Sequence, residues 1–201
     1  MREPTEHESR LLDAAVVAGG LGPRYTQPHR EYHNLMHIED VLLRIEELEP
    51  PPEHELSLAL AAWFHDAVYQ PGQPDNEDRS AYAAYDALEQ IGAGPDLITE
   101  VMRLIRLTAD HDPDPDDVAG AVLCDADLAI LAASRDRYVG YATAIRQEYI
   151  HVPQAEFRAG RAKVLQSLLD RPTIYSTPHA RQHWEAQARR NIADEIAQLT
   201  A

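Results

Sequence analysis

An all-α helical bundle is the fold this 201-residue sequence predicts, on three observations. Apolar residues recur at the three-to-four-residue spacing of a helix face through most of the chain. No stretch alternates apolar and polar residues as a half-buried strand does. Proline and glycine fall between the periodic segments, where helices end. At 44% apolar, the chain has material for one sizeable core, so a single domain over 1–201 is expected.

Leu11 to Val17 predicts the first helix, stopped by Gly19-Gly20 and Gly22-Pro23; Arg24 to His33 reads as irregular. Leu35, Ile38, Val41, Leu42, Ile45 and Leu48 keep helical spacing behind Asn34, a good N-cap residue, until Pro50-Pro51-Pro52. Leu56 to Val68 is apolar on nearly every side, the mark of a buried helix. Asp75-Asn76-Glu77-Asp78 opens a helix that runs through Ile91, and Leu97 to Thr108 carries another into the turn-rich His111-Asp112-Pro113-Asp114-Pro115. Val118 to Ala132 reads as a second central helix. Tyr138 to Ile150, Gln154 to Leu169 and Pro178 to Leu199 complete the bundle, the last polar enough for the surface.

A formal charge of -16 argues against a protein that gains affinity by neutralising nucleic-acid phosphates, so small-molecule partners are expected and no nucleic-acid polymer. The lone Cys124 excludes an internal disulfide and a cysteine-cluster metal site, and reads as a small buried apolar side chain. Met1 to Arg10 is polar, and no apolar run reaches the length of a membrane span. A cytoplasmic protein with no membrane partner is the expectation, and a homodimer is compatible with it.

The chemistry gathers around Trp63-Phe64-His65-Asp66. An imidazole and a carboxylate side by side in a buried helix are costly to desolvate unless a charge meets them, and a divalent metal would do so. Consecutive helical residues point about 100° apart, so further ligands must come from elsewhere. His37, in the first turn after Asn34, is one candidate. Asp127 is another, because its helical neighbours Leu123, Cys124, Ile130 and Leu131 form an apolar stripe; Asp125, also among apolar neighbours, is the alternative.

With these residues in place the sequence resembles the HD superfamily of metal-dependent phosphohydrolases, whose pattern of a His, a His-Asp pair and a later Asp is matched by His37, His65-Asp66 and Asp127. The segments 28–37, 64–69 and 124–128 look like the corresponding blocks of a family of HD phosphohydrolases of about this length. Likeness extends more diffusely through 145–149, Gly160-Arg161 and 174–177. Tyr32-His33-Asn34 followed by His37 is also similar to the metal-site block of the cyclic-nucleotide phosphodiesterases. There the position matching His37 binds metal and the position matching His33 protonates the leaving oxygen. No match to that family's nucleotide pocket accompanies it, so a cyclic nucleotide is not implied.

Two imidazoles and two carboxylates suit Mn, Co, Ni, Zn, Fe or Mg, and in six-coordination leave two positions for water and substrate. The reaction expected is hydrolysis of a small phosphoester, a nucleotide first among the substrates, by a water the metal activates. His33 is the expected acid, and Glu77, in an Asn-Glu pair that the resemblance also covers, would orient the water. Asp75 or Asn76 capping the helix is the competing role for that segment. Arg30, His111, Arg161 and Lys163 are candidates to hold the substrate, against the simpler readings of a salt bridge to Glu31, a solvated loop histidine and a solvated helix face. Two rivals stand beside this reading. A di-iron oxygenase on the same scaffold would require two further histidines before the last Asp, where the chain offers only His111. A helical module that binds metal and nucleotide without catalysis is the other.

Overall fold

The computed structural model describes residues 5–201; the first four positions of the polar N-terminus lie outside them. Eleven α-helices and two short 3-10 turns, with no strand, make up the described residues. In chain order they are α1 (Glu6–Ala18), α2 (Leu21–Tyr25), α3 (Leu35–Glu47), α4 (Glu55–Phe64), α5 (Asn76–Gln90), α6 (Pro95–Leu107), α7 (Val118–Asp127), α8 (Arg135–Glu148), α9 (Gln154–Leu169), α10 (Pro178–His183) and α11 (Glu185–Thr200). Among the described residues no helix is long and apolar enough to cross a membrane.

Several boundaries differ from the sequence reading, each for a local reason. α1 starts five residues early because Thr5 and Glu8 form a capping box, each side chain bonding the other's backbone N–H. The segment read as glycine-terminated coil contains α2, whose Leu21 and Tyr25 are buried in the core. The expected helix over 118–132 stays α-helical to Asp127 and tightens into a 3-10 turn over Leu128–Ala132. The last expected helix is two, broken at Trp184, which is buried edge-on against Tyr175. Asn34 caps α3 as expected, accepting from Met36 N–H at 2.9 Å.

Apolar burial is divided between two clusters. Helices α1 to α7 close around Leu21, Tyr25, Leu58, Phe64, Leu88, Leu104 and Leu123. The later helices close around Leu131, Leu165, Tyr175 and Ile192, and Leu48 packs against both clusters. The link is the 3-10 turn after α7, whose Leu131 is buried in the second cluster while Leu123, two turns earlier, is buried in the first.

Gly19 shows how tightly the first cluster holds the end of α4. A Cβ built on Gly19 would stand 2.7 Å from Cε1 of Phe64, whose ring is fully buried next to His65 in sequence. Gly19→Ala is therefore expected to destabilise the chain by about 1–3 kcal/mol through overpacking, measured by urea unfolding; unchanged stability would mean that the Phe64 ring can move aside.

Candidate metal centre

Three helix ends meet at the junction of the two clusters. The buried α4 was expected to run to Val68, with His65 and Asp66 both inside it; it ends at Phe64. The His65 N–H still bonds Ala61 O at 2.8 Å, and the chain then turns. The reason lies in Arg30. Its guanidinium donates to the carbonyls of Asp66 at 2.8 Å and Ala67 at 3.3 Å, while Ser80 Oγ accepts from Val68 N–H at 3.0 Å. These bonds close backbone groups past the helix end, while His65 keeps an α-helical backbone and Ala67 N–H bonds Phe64 O at 2.9 Å.

The side chains at these helix ends converge. Nε2 of His37, from the first turn of α3, is 3.1 Å from Nε2 of His65 and 3.2 Å from Oδ1 of Asp127, the last residue of α7. Oδ2 of Asp66 is 3.2 Å from His65 Nε2 and 3.6 Å from His37 Nε2, and Asp127 Oδ1 is 3.6 Å from His65 Nε2. Neighbouring ligand atoms around a four- or six-coordinate ion, at bonds of about 2.1 Å, stand about 3.0–3.4 Å apart. His37, His65 and Asp127 could therefore hold a metal ion. The donor chemistry fits. His65 Nδ1 donates to Ala62 O at 2.9 Å, so Nε2 is the nitrogen turned to the cluster, and a metal would take the place of its proton. Burial alone would raise the two carboxyls. The facing imidazoles, His65 foremost, outweigh it and hold both well below the ordinary carboxylate range.

The cluster opens on a cavity of about 600 Å³ that also takes in His33, Glu77, His111 and Arg161. His111, which could have been a solvated loop residue, bonds the other oxygen of Asp127 at 2.8 Å. Its backbone is left-handed at φ 49°, held there by its N–H on Leu107 O and by Arg171 on its carbonyl. Glu77 is half-buried, and burial, reinforced by Asp66, pushes its carboxyl up. The helix at 76 is not capped as expected. Asp75 makes no side-chain cap bond, and the buried Asn76 exchanges hydrogen bonds with the Gln70 backbone at 3.0 and 2.9 Å, pinning the loop after the His-Asp pair.

Other placements depart from the sequence reading. Arg30 is buried and lies outside the cavity wall; its donors meet Gln27 and the carbonyls of His33, Asp66 and Ala67, so it braces the cluster instead of presenting itself to a phosphate or to Glu31. Lys163 is exposed and outside the cavity wall. Arg161 is in the wall, but its Nε and one terminal nitrogen are paired with Glu195 and that nitrogen also bonds Tyr141. Asp125 points away from the cluster: its oxygens accept from Ser176 N–H at 2.8 Å and Thr177 N–H at 2.7 Å, tying α7 to the start of α10. Of the two loop histidines, His33 faces the cavity, whereas His29 bonds Tyr69 O.

Glu148 is the important residue that sequence reasoning passed over. Fully buried at the end of α8, it accepts from His33 Nδ1 at 2.6 Å, from the backbone N–H groups of Tyr32 and His33, and from Tyr69 Oη at 2.7 Å. Burial opposes the charged form of His33, but Asp66 and Glu148 outweigh it and raise its pKa. One signal was present: an acid in the last turn of a helix, where the macrodipole disfavours negative charge, must be compensated from outside.

Compared with known proteins, the chain matches no family model, no curated protein and no solved structure.

Burial raises the Glu148 carboxyl, yet the bonds from His33 and the two backbone N–H groups lower it overall to about 2. A folded-state pKa below the unfolded one contributes stability above the ordinary glutamate range and loses it as pH falls toward 2, by about 3 kcal/mol in all. Urea unfolding between pH 6 and pH 2 is expected to show this loss in the wild type and a flatter profile in Glu148→Gln. In the same variant the His33 pKa, followed by NMR, is expected to fall.

Proposed function

We propose that this chain is a metal-dependent phosphohydrolase of the HD type that cleaves a phosphoester of a small molecule, with nucleotides the first class to test. One observation carries the reading: of the four clustered residues His37, His65, Asp66 and Asp127, the last three line the same cavity as a histidine whose far nitrogen is anchored on a buried glutamate.

A divalent ion held by those four residues would polarise a phosphoryl oxygen and acidify a water. The chain's own groups supply the rest. Glu148 takes Nδ1 of His33, leaving Nε2 to the cavity and favouring the imidazolium, so that His33 can give a proton to the departing oxygen. Glu77, its carboxyl raised by burial, orients water at the cluster end of the cavity, and His111 holds Asp127 in the rotamer the cluster requires. Arg30 fixes the turn that carries Asp66. Nothing in the wall ties the site to a nucleic-acid polymer.

The test pairs metal analysis of the purified protein with phosphate release from a panel of nucleotides and simple esters in the presence of Mn, Co, Ni, Zn or Mg. Asp127→Ala is expected to lose metal and at least about a hundredfold in rate with its helical content kept, and His33→Gln to lose about 10²–10⁴-fold in kcat while retaining metal. Asp125→Ala is expected to lower stability through the freed N–H groups of Ser176 and Thr177. Activity that survives Asp127→Ala and dies with Asp125→Ala would reverse the assignment. Two irons per chain and a product carrying oxygen from O₂ would favour the oxygenase. Metal binding without turnover of any ester would leave the non-catalytic module.

A further inference from the structure

The cavity has two chemically different ends. The cluster end carries Asp66, Asp127 and Glu77; the opposite wall, built by α8, α9 and the segment joining them, is apolar and aromatic, with Ile145, Tyr149, Val152, Phe157 and Val164. Glu156 adds an exposed carboxylate to the lining.

Cations that could meet a chain of phosphates are already engaged. Arg30 is closed onto Gln27 and three carbonyls, and Arg171 donates to the carbonyls of His111 and Asp110 at 2.6 Å each. Arg161, the lone arginine in the wall, is neutralised by Glu195, which leaves one terminal nitrogen without a partner in Glu195 or Tyr141. Lys163, the single lysine of the chain, is exposed and away from the wall. A divalent ion would offset the charges of Asp66 and Asp127; of the basic side chains in the wall, His33 is bonded to Glu148, His111 to Asp127 and Arg161 to Glu195, and Glu77 and Glu156 face the same cavity. A substrate can place one phosphoryl group at the cluster, beside His33, but a further phosphate directed at the α8–α9 wall meets apolar side chains and the carboxylate of Glu156.

We propose that the cavity selects an organic ester of a single phosphoryl group, with an aromatic or other apolar body lying on the α8–α9 wall, and rejects nucleoside di- and triphosphates. This rests on the phosphohydrolase reading and narrows its substrate. The reaction is redox-neutral: water adds its oxygen to phosphorus, the P–O bond to the organic group breaks, and the released alcohol takes the proton that His33 holds. Inorganic phosphate and the alcohol are the products.

The experiment uses the full chain with the metal that best supports phosphate release, on p-nitrophenyl phosphate, adenosine mono-, di- and triphosphate, and glycerol phosphate. The monophosphate is expected to exceed the di- and triphosphate in kcat/KM by about tenfold or more, the effect of one uncompensated like charge about 10 Å away at an effective dielectric of about 20. Glu156→Lys is expected to narrow that ratio by about fivefold, a change that loss of structure would not produce. Phe157→Ala is expected to raise KM for p-nitrophenyl phosphate about tenfold with kcat retained. In thermal unfolding, phenylphosphonate should protect the protein more than pyrophosphate does. Equal or better turnover of the triphosphate, or stronger protection by pyrophosphate, would overturn this inference and leave the phosphohydrolase standing. Release of phosphate from none of the esters would overturn both.

Discussion

Two imidazole nitrogens 3.1 Å apart, with a carboxylate oxygen within 3.6 Å of both on either count, form an arrangement that a buried site tolerates only when something positive lies among them. Protons can serve, which is why the facing imidazoles hold both carboxyls down; a divalent ion could take their place between His37, His65 and Asp127. The helices are cut to suit this demand. α3 begins just before His37, α4 stops just before His65, and α7 stops at Asp127. A ligand at a helix end can be aimed without the fixed angular step of a helix interior, and the backbone groups left open there are closed by side chains whose positions are set by the same turns.

Glu148 carries the constraint from the first apolar cluster to the second. It belongs to α8, yet all of its bonds go back to the loop before α3 and to Tyr69, three residues past Asp66. Four donors on one buried carboxylate compensate for its burial and for its unfavourable place at a helix C-terminus. His33 is therefore placed by two elements distant in sequence. The face of its ring stacks on Tyr69 with centroids 4.1 Å apart, so its remaining freedom is small. An imidazole held this firmly has little conformational freedom left to lose.

How much of this was legible in the sequence depends on whether the signal was local. Helices were legible because their apolar period is local, and Asn34 because a cap acts within three residues. His37, His65, Asp66 and Asp127 stood out because polar groups on apolar stripes must find partners, and the structure brings those four together. Choosing Asp127 over Asp125 required knowing that Ser176 and Thr177, some fifty residues later, absorb the other carboxylate. Nothing near Asp125 announces that. The end of α4 at Phe64 was hidden for the same reason, since the group that closes the carbonyls past it is Arg30. Trp184 reads as one more helical residue until Tyr175 is seen beneath it. Long-range partners decide where helices stop, whereas local pattern decides that they exist.

Arginine closes many of those stops. Arg30 bonds carbonyls beyond α4, Arg146 those of Tyr149 and Val152 beyond α8, Arg189 those of Leu169 at the end of α9 and of Arg171 and Pro172 beyond it, and Arg171 those of Asp110 and His111 beyond α6. A guanidinium presents five donors in one plane and can satisfy two or three open carbonyls at once, which the ammonium of a lysine cannot match in geometry. The chain accordingly has seventeen arginines and one lysine among its eighteen basic residues. In a protein of formal charge -16, arginines bound to carbonyls hold the fold together and leave the cavity poor in mobile cations. The same economy that fixes the helix ends thus leaves Arg161, already paired with Glu195, as the arginine of the cavity wall among the described residues.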